Sequence, residues 1–200
     1  DAGFVLTIDL ENFFPTISFS RVISIFRGLG YSGQVSTSLA KLCCLDNVLP
    51  QGAPTSPSLS NIVCKRLDEK LERFAIESGL RYTRYVDDMC FSGGEIKKHT
   101  LDEIEKIVSS EGFRTNKSKT HLHAPRSNLK LVTGVNVALG KMSLPKSYKR
   151  AISTDLFHIE KYGLRSHLAK RKIRDPNYIE ALVGKVGYWL FIEPENKRAQ

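Results

Sequence analysis

The sequence predicts an α+β fold, with an antiparallel sheet packed on helices in its first part and helices alone in its last part. Two patterns predict this division: strand-like and helix-like hydrophobic spacings alternate over the first 145 residues, and from Ser147 onward the periodicity is helical. Apolar residues make up 41% of the 200 residues, which is enough to form a core. We therefore predict two domains, at residues 1–145 and 146–200.

Hydrophobic spacing and breaks at glycine or proline predict the elements of the first half. These are a strand at about residues 4–10 and helices at about residues 19–28, 34–45 and 56–78. The last helix has the strongest signals, because Ser56 suits the N-cap and Pro57 suits the first helical position. The loop before it, residues 49–57, contains three prolines and one glycine.

Short strands and one helix are predicted next along the chain. Residues 81–92 alternate as two strands joined by a turn at Asp87 and Asp88. Thr100 and Glu103 form a capping-box pattern, which predicts the start of a helix. Further strands are predicted at about residues 119–123, 130–137 and 141–144, with a turn at Leu139-Gly140, and the helical end is interrupted at Gly163 and at Asp175-Pro176.

The charge of the chain is strongly positive and unevenly distributed. The net charge is +9, and the segment from Pro145 to Arg174 contains nine Lys or Arg residues and two acids. Such a segment predicts a polyanionic partner, most simply nucleic acid. The alternative is an ordinary solvated helix face.

The composition also predicts a compartment. No apolar run approaches the roughly 18 residues of a membrane span, and no signal peptide precedes Asp1. The four cysteines follow no zinc-binding spacing, which favours free thiols in a reducing environment. We therefore expect a cytoplasmic protein with no membrane partner.

Three aspartates form the most informative pattern. Asp9 ends the first predicted strand, and Asp87 and Asp88 lie at the turn about eighty residues later. Carboxylate oxygens are the ligands that Mg²⁺ selects, and sites with two such ions perform in-line phosphoryl transfer. By itself an Asp-Asp pair is also typical of an ordinary polar turn.

Five ordered segments carry a resemblance to a known family. They are Asp9-x-x-x-Phe13-Phe14-Pro15, Leu49-Pro50-Gln51-Gly52-Ala53-Pro54-Thr55-Ser56-Pro57, Tyr85-Val86-Asp87-Asp88, Gly112-Phe113-x-Thr115-Asn116-x-x-Lys119-Thr120 and Val132-Thr133-Gly134-Val135. In order and spacing they resemble the palm and thumb of bacterial retron-type reverse transcriptases, and the proline-rich loop is the most specific segment. The resemblance implies a polymerase right-hand palm followed by a helical thumb.

The resemblance implies a catalytic centre on the three acids. Asp9, Asp87 and Asp88, with the backbone carbonyl of Leu10, would hold two Mg²⁺ ions. Lys119 matches the family's lysine near the triphosphate and is a candidate general acid. Lys117 is two residues away, so it is an alternative for this role.

The resemblance also implies a nucleotide pocket. Phe14 is at the position that in the family excludes the 2′-hydroxyl of the sugar, and Gln51 and Gly52 would contact the incoming deoxynucleoside triphosphate. The alternative for Phe14 is a core aromatic. Phe13 is expected in the core because successive strand residues face opposite ways. Arg81 and Arg84, which border the predicted turn, are expected to be surface or template contacts.

The remaining family positions concern primer and template. Residues 131–137 resemble the family's primer grip, which implies a hairpin that presents Val132, Thr133 and Gly134 to the primer end. Lys149 and Arg150, in the basic helices that follow, would contact the phosphates of the primer–template duplex without distinguishing sequence. The implied partners are a structured RNA template, a DNA or RNA primer and possible effector proteins of a defence system.

The function expected from this resemblance is RNA-directed DNA polymerisation. The alternative is a catalytically silent palm that binds nucleic acid as a scaffold in an antiphage defence complex. Family members carry a fingers region before the first palm acid, so we expect either a fragment or a second chain that supplies it. The retron signature Asn-Ala-x-x-His is absent from the sequence, which leaves other antiphage and diversity-generating reverse transcriptases as alternatives.

Overall fold

The computed structural model describes residues 3–125, 130–138 and 141–196. Within these residues, 3–125 form one compact unit and 130–196 form the other. The domain boundary predicted at residue 145 stays a prediction. None of the described helices is long and apolar enough to cross a membrane.

The first unit is built on a four-stranded sheet. Its strands are β1 (Phe4–Leu10), β2 (Leu80–Tyr85), β3 (Asp88–Gly93) and β4 (Thr115–His123). The strand order is β2-β3-β1-β4, and each neighbouring pair is antiparallel. The predicted α+β fold with an antiparallel sheet is confirmed, and β1 is one of the two central strands.

Six helices belong to the same unit. They are α1 (Phe13–Thr16), α2 (Phe19–Gly28), α3 (Gly33–Cys43), α4 (Ser56–Val63), α5 (Lys65–Glu77) and α6 (Lys98–Ser110). Leu6, Ile8 and Leu10 alternate along β1 and therefore share one face of the sheet. They are buried in one apolar cluster with helix residues such as Leu71 and Ile104, so this face of the sheet forms the core.

The capping roles predicted for Ser56 and Thr100 are wrong. Helix α4 begins at Ser56, one residue after its N-cap Thr55, and the buried Ser56 hydroxyl donates to the Pro50 carbonyl at 2.7 Å. Helix α6 begins at Lys98, so Thr100 lies within its first turn and is buried. Both hydroxyls are inside the fold, where local capping patterns have no influence.

The predicted helix at residues 56–78 is also interrupted. A turn at Cys64 separates α4 from α5, and Cys64 is fully buried. The apolar spacing continues across this point because both helices bury their apolar residues in the same cluster, so it does not reveal the interruption.

The second unit combines a small sheet with three helices. Its elements are β5 (Leu131–Val132), β6 (Val135–Ala138), β7 (Lys141–Ser143), α7 (Lys146–Tyr162), α8 (Leu164–Arg171) and α9 (Tyr178–Ile192). The strand order is β5-β6-β7, and a separate core contains Leu144, Ile152, Leu182 and Trp189.

The strand predicted at residues 130–137 is wrong because the chain turns in its middle. Val132 pairs with Val135, and the two residues between them, Thr133 and Gly134, have φ angles of 45° and 84°. Two successive residues with positive φ are typical of the type I′ hairpin turn. The second predicted turn, Leu139-Gly140, lies outside the described residues.

One carboxylate connects distant parts of the second unit. Glu193 accepts hydrogen bonds from the Leu144 N–H at 2.7 Å, from Lys149 Nζ at 2.9 Å and from Asn196 Nδ2 at 2.6 Å. Burial acts to raise the pKa of Glu193, but these hydrogen bonds outweigh burial and hold its pKa at about 2, below the ordinary 4.5. The ionised carboxylate therefore stabilises this unit.

The Glu193 network predicts acid sensitivity in the second unit. Because the folded pKa is depressed, the stabilisation is complete above about pH 4.5 and is lost as the pH falls towards 2. We expect Glu193→Gln to lower the free energy of unfolding at neutral pH by up to ~3 kcal/mol. The same change should flatten the pH dependence of stability below pH 4.5.

The fluorescence of Trp189, the chain's single tryptophan, reports unfolding of this unit. Glu180→Gln, at an exposed position of the same helix α9, is the matched control and should leave the pH dependence unchanged. An equal effect of the two substitutions would contradict the assignment to Glu193.

Candidate active site

The strand register brings the three predicted acids together. In the antiparallel pairing of β1 with β3, Asp9 lies directly opposite Asp88. The Leu10 N–H donates to the carbonyl of Asp87 at 3.0 Å. Asp9, Asp87 and Asp88 therefore lie at the same end of the two central strands, on backbone that the sheet holds in place.

The neighbouring acids influence the ionisation of Asp88. Burial raises its pKa, the carboxylates of Asp87 and Asp9 raise it further, and Lys119 opposes them. Like charges opposite each other on paired strands are destabilising. This end of the sheet therefore favours a bound cation.

Lys119 provides one positive charge at the site. Its Nζ lies 3.0 Å from Asp9 Oδ2, and Asp9 is almost fully buried. The hydrogen bond to Asp9 and the negative charge around it raise the pKa of Lys119, so the ammonium form is favoured. The structure thus places a protonated lysine against the first of the three acids.

An irregularity in β4 explains why Lys119 reaches Asp9. Thr7 pairs with His121 and Asp9 pairs with Asn116, so residues 117–120 of β4 lie opposite the single residue Ile8. Such a bulge redirects side chains away from the regular alternation. Within it, the Ser118 N–H and hydroxyl donate to Asn116 Oδ1 at 3.1 and 2.7 Å.

The alternative lysine has a different partner. Lys117 Nζ lies 4.0 Å from Glu105 Oε2 on helix α6, whereas Lys119 contacts Asp9. The structure therefore brings Lys119, and not Lys117, to the acids. The catalytic role of Lys119 stays a prediction.

The turn that presents Asp87 and Asp88 is strained. Tyr85 pairs with Asp88, which leaves Val86 and Asp87 as a two-residue loop, and Val86 has a φ of 58°. A β-branched residue rarely adopts this left-handed conformation, so neighbouring groups must hold it. Arg84 does so directly, because its Nη1 donates to the Val86 carbonyl at 2.8 Å.

Arg84 is itself fixed by a buried ion pair. Its Nε and Nη2 donate to the two carboxylate oxygens of Asp68 at 2.8 and 2.6 Å, and the Tyr82 hydroxyl also donates to Asp68 at 2.8 Å. The Arg84 side chain is only 5% exposed. Two parallel hydrogen bonds to one carboxylate fix the orientation of a guanidinium. The turn is therefore supported from helix α5.

The expectation that Arg84 is a surface or template contact is wrong. The alternation of β2 contained the signal, because Arg84 shares the strand face of Leu80 and Tyr82, which are buried and half-buried. A charged residue on a core-facing position indicates a buried partner. The sequence did not identify that partner, Asp68, because it lies on a different element.

Phe14 lies in a short helix and not on a strand. Residues 13–16 form α1 after Asn12, which has a φ of 46°, so the predicted reason for the different environments of Phe13 and Phe14 is wrong. Phe13 is nevertheless buried in the core, and Phe14 is half-buried with its ring centroid 5.4 Å from that of Phe13. The exposed part of Phe14 is accessible to a ligand.

The proline-rich loop presents Gln51 and Gly52 to solvent. Both are exposed, and Gly52 has a φ of 89°, a conformation that favours glycine. The Ser56 hydroxyl anchors the loop to the start of α4 through Pro50. Binding of a nucleotide by Gln51 and Gly52 stays a prediction.

The residues predicted to contact primer and template lie in the second unit. Thr133 and Gly134 form the exposed β5–β6 turn, with Val132 half-buried before them. Arg150 is exposed on α7, whereas Lys149 is largely buried in its ion pair with Glu193. Contacts of these residues with nucleic acid stay predictions.

The donor set of the site suits a hard divalent cation, because three carboxylates occupy one end of the sheet. Their oxygens do not yet converge on a single point. Among the residues that the structure describes, no group of three or more His, Cys, Asp or Glu side chains is arranged to hold a metal ion. The ammonium of Lys119 neutralises Asp9 in this arrangement.

An antiparallel palm-like sheet with three acids at one end is the arrangement expected of a nucleic acid polymerase. The family model described as reverse transcriptase (RNA-dependent DNA polymerase) matches residues 2–173, and the chain belongs to this family. Its similarity to retron reverse transcriptases, which the motifs predicted, is confirmed by the individual relatives.

The chain is 41% identical to the retron Ec86 reverse transcriptase of Escherichia coli, over 79% of this chain and 50% of the relative. It is 37% identical to the retron Mx65 reverse transcriptase of Myxococcus xanthus, over 66% of this chain and 36% of the relative. The retron Mx162 reverse transcriptase of the same organism is 27% identical over 99% of this chain and 46% of the relative. The chain thus spans half or less of the length of these relatives.

The role of Arg84 in supporting the turn can be tested by measuring the free energy of unfolding of a variant that lacks the guanidinium. Arg84→Met leaves Asp68 without its partner, and we expect the free energy of unfolding to fall by about 3 kcal/mol, the lower end for buried pairs because Asp68 is one-third exposed. Arg81→Met, at an exposed position of the same strand, is the control and should change stability by less than about 0.5 kcal/mol. Urea unfolding followed by circular dichroism measures both, and equal losses would contradict the buried role of Arg84.

Proposed function

We propose that this chain is the palm and thumb of a retron-type RNA-directed DNA polymerase that copies a structured RNA into DNA. The observation that carries the proposal is the register that places Asp9 opposite Asp88, with Asp87 beside them, in a member of the reverse transcriptase family. The relatives are named as retron reverse transcriptases, which supports the retron type.

Asp9, Asp87 and Asp88, with the backbone carbonyl of Leu10, would hold two Mg²⁺ ions. When bound, such ions supply activation of the primer 3′-hydroxyl and stabilisation of the leaving group. Reverse transcriptases generally use divalent ions, and oxygen ligands favour Mg²⁺. Burial raises the pKa of Asp88, the carboxylates of Asp87 and Asp9 raise it further, and bound cations would neutralise that negative charge.

Lys119 would act on the triphosphate as a general acid. A lysine is protonated at neutral pH at its ordinary pKa, and the ammonium of Lys119 lies 3.0 Å from Asp9, so it has a proton to donate to the departing pyrophosphate beside the acids. Lys117 is engaged by Glu105 and is the less suitable donor.

The nucleotide pocket would be completed by Phe14, Gln51 and Gly52. The half-buried ring of Phe14 packs on Phe13, which gives it the rigidity needed to exclude a 2′-hydroxyl and so to select deoxynucleoside triphosphates. Gly52, with its positive φ and no side chain, allows close approach of the backbone to the ligand.

The second unit would hold the primer–template duplex. Val132, Thr133 and Gly134 would face the primer end, and the exposed Arg150 would contact phosphates. Lys149 would contribute its positive charge from within the Glu193 ion pair. The partners would be a structured RNA, a DNA or RNA primer and effector proteins of a defence system, in the cytoplasm.

The central test is DNA synthesis on a primed RNA template with Mg²⁺. We expect Asp87→Asn and Asp88→Asn each to lower the rate at least ~100-fold, because each removes a carboxylate that would hold the catalytic Mg²⁺ ions. Binding of the RNA should persist. Asp102→Asn, on the exposed surface of α6, is the matched control and should retain activity.

The test is made in this chain and in a chimera in which it replaces the corresponding part of the retron Ec86 reverse transcriptase. The chimera supplies the portion of the relative that this chain does not span. Full activity of the Asp87→Asn or Asp88→Asn chimera would overturn the proposal, and a chimera that binds RNA but never synthesises DNA would favour the scaffold alternative.

The choice between the two lysines is tested in the same chimera. Loss of a general acid typically costs about 10²- to 10⁴-fold in rate, and we expect a decrease of this size for Lys119→Ala. Lys117→Ala removes the same kind of side chain two residues away. The rate of this variant should stay near that of the parent. Single-turnover incorporation at saturating nucleotide measures the chemical step, and the reverse pattern would assign the role to Lys117.

A further inference from the structure

A cavity of about 270 Å³ lies between α7 and α8, in the second unit. Gly163 joins the two helices with a φ of 78°, a conformation that allows a sharp change of direction. The lining residues, which define the α7–α8 cavity, are His158, Tyr162, Ser166, His167, Lys170 and Arg171.

Aromatic rings form one part of the lining. The ring centroids of His158 and Tyr162 are 6.1 Å apart, and those of His158 and His167 are 6.2 Å apart. Three flat side chains are therefore grouped in one cavity. Tyr162 is exposed, His158 is half-buried and His167 is buried, so Tyr162 and His158 offer the accessible faces, and bases of single strands stack on such faces.

Positive charge forms the other part of the lining. Lys170 is exposed, and Arg171 donates to Asp155 at 2.7 Å through one of its several N–H groups while remaining about half exposed. No acidic residue is among the lining residues described. The cavity therefore favours an anionic ligand, and a guanidinium has N–H groups left to bind it.

His167 contributes one ring nitrogen that is hydrogen-bonded and one that is not. Its Nε2 is 2.7 Å from the Tyr178 hydroxyl, and which of the two atoms donates depends on the tautomer of the ring.

The other ring nitrogen of His167, Nδ1, accepts a hydrogen bond in one neutral tautomer and donates one in the other. This atom is buried, and it has no hydrogen-bond partner among the residues that the structure describes. Buried polar atoms are normally satisfied, so an unsatisfied one on a residue that lines a cavity indicates a ligand with hydrogen-bonding groups.

We propose that the α7–α8 cavity binds one unpaired nucleotide unit, with the base against Tyr162 and His158 and the phosphate at Lys170 and Arg171. Each of the common nucleobases carries both N–H donors and lone-pair acceptors, so a base can satisfy His167 Nδ1 in either tautomer. The volume is slightly below the ~300 Å³ at which drug-sized pockets begin, which suits a single unit and not a longer ligand. The site adds to the proposed polymerase function and does not depend on it.

The same chemistry occurs in a free nucleoside monophosphate and in one unit of a single strand. A fluorescent single-stranded oligouridylate therefore serves as the probe, in fixed salt without Mg²⁺ or deoxynucleotides, and its binding is measured by anisotropy. Uridine 5′-monophosphate, uridine and inorganic phosphate serve as competitors. Tighter binding of the strand than of uridine 5′-monophosphate identifies the strand as the source, and equal affinity identifies the free nucleotide.

Matched variants distinguish the cavity from general charge attraction. We expect Tyr162→Leu and Lys170→Gln each to weaken binding of the oligouridylate about tenfold, since each removes a stacking or phosphate contact. Phe157→Leu, at an exposed aromatic of α7, and Lys172→Gln, at an exposed lysine just after α8, remove the same groups outside the cavity. These two should change affinity less than about twofold.

Photocrosslinking of the same strand carrying 5-iodouridine should attach it to a peptide within residues 158–171. Uridine 5′-monophosphate should compete about tenfold better than uridine or phosphate alone. Equal losses in the matched pairs, a crosslink outside these residues or competition by phosphate as strong as by the nucleotide would each overturn the proposal. No DNA synthesis is measured, so failure of the polymerase proposal leaves this test unaffected.

Discussion

The pairing of β1 with β3 is the constraint on which the candidate active site depends. Ile8 lies opposite Met89, and both are 1% exposed in the core. The next pair along the strands is Asp9 opposite Asp88. Because side chains alternate between the faces of a sheet, a slip of one residue would turn the acids towards the apolar core and turn the apolar pair away from it. Core packing thus fixes the geometry of the acids, so the residues that stabilise the fold also position the carboxylates of the candidate active site.

This arrangement places electrostatic repulsion and a strained backbone together at one end of the sheet. Asp9 and Asp88 lie opposite each other, Asp87 lies beside them, and Val86 adopts a left-handed conformation in the turn that presents Asp87 and Asp88. The compensation comes from the surroundings: Lys119 neutralises Asp9 from the bulge of β4, and Arg84 holds the Val86 carbonyl while bound to Asp68. Functional sites commonly retain strain of this kind when the structure around them over-determines the conformation.

The second unit is organised by a different principle. Its helices enclose a small core around Trp189, and the Glu193 carboxylate joins the end of β7 to α7 and α9 through charged hydrogen bonds. This leaves most of the basic side chains of α7 and α8 at the surface, where they can attract a polyanion. Lys149 is the exception, because its charge stabilises the unit itself.

The sequence by itself determined the α+β class, most strand positions and the three acids, because alternation along a strand and the residues of a turn are local properties. Arg84 facing inward was also implicit in the alternation of β2, although its partner was not. Only the tertiary structure brought Lys119 and not Lys117 to Asp9, interrupted the helix at Cys64 and gave Ser56 a buried partner in place of a capping role. Lys119 and Asp9 are 110 positions apart in the chain. Contacts over such distances depend on how β4 bulges against β1, and no local pattern of residue types encodes that register.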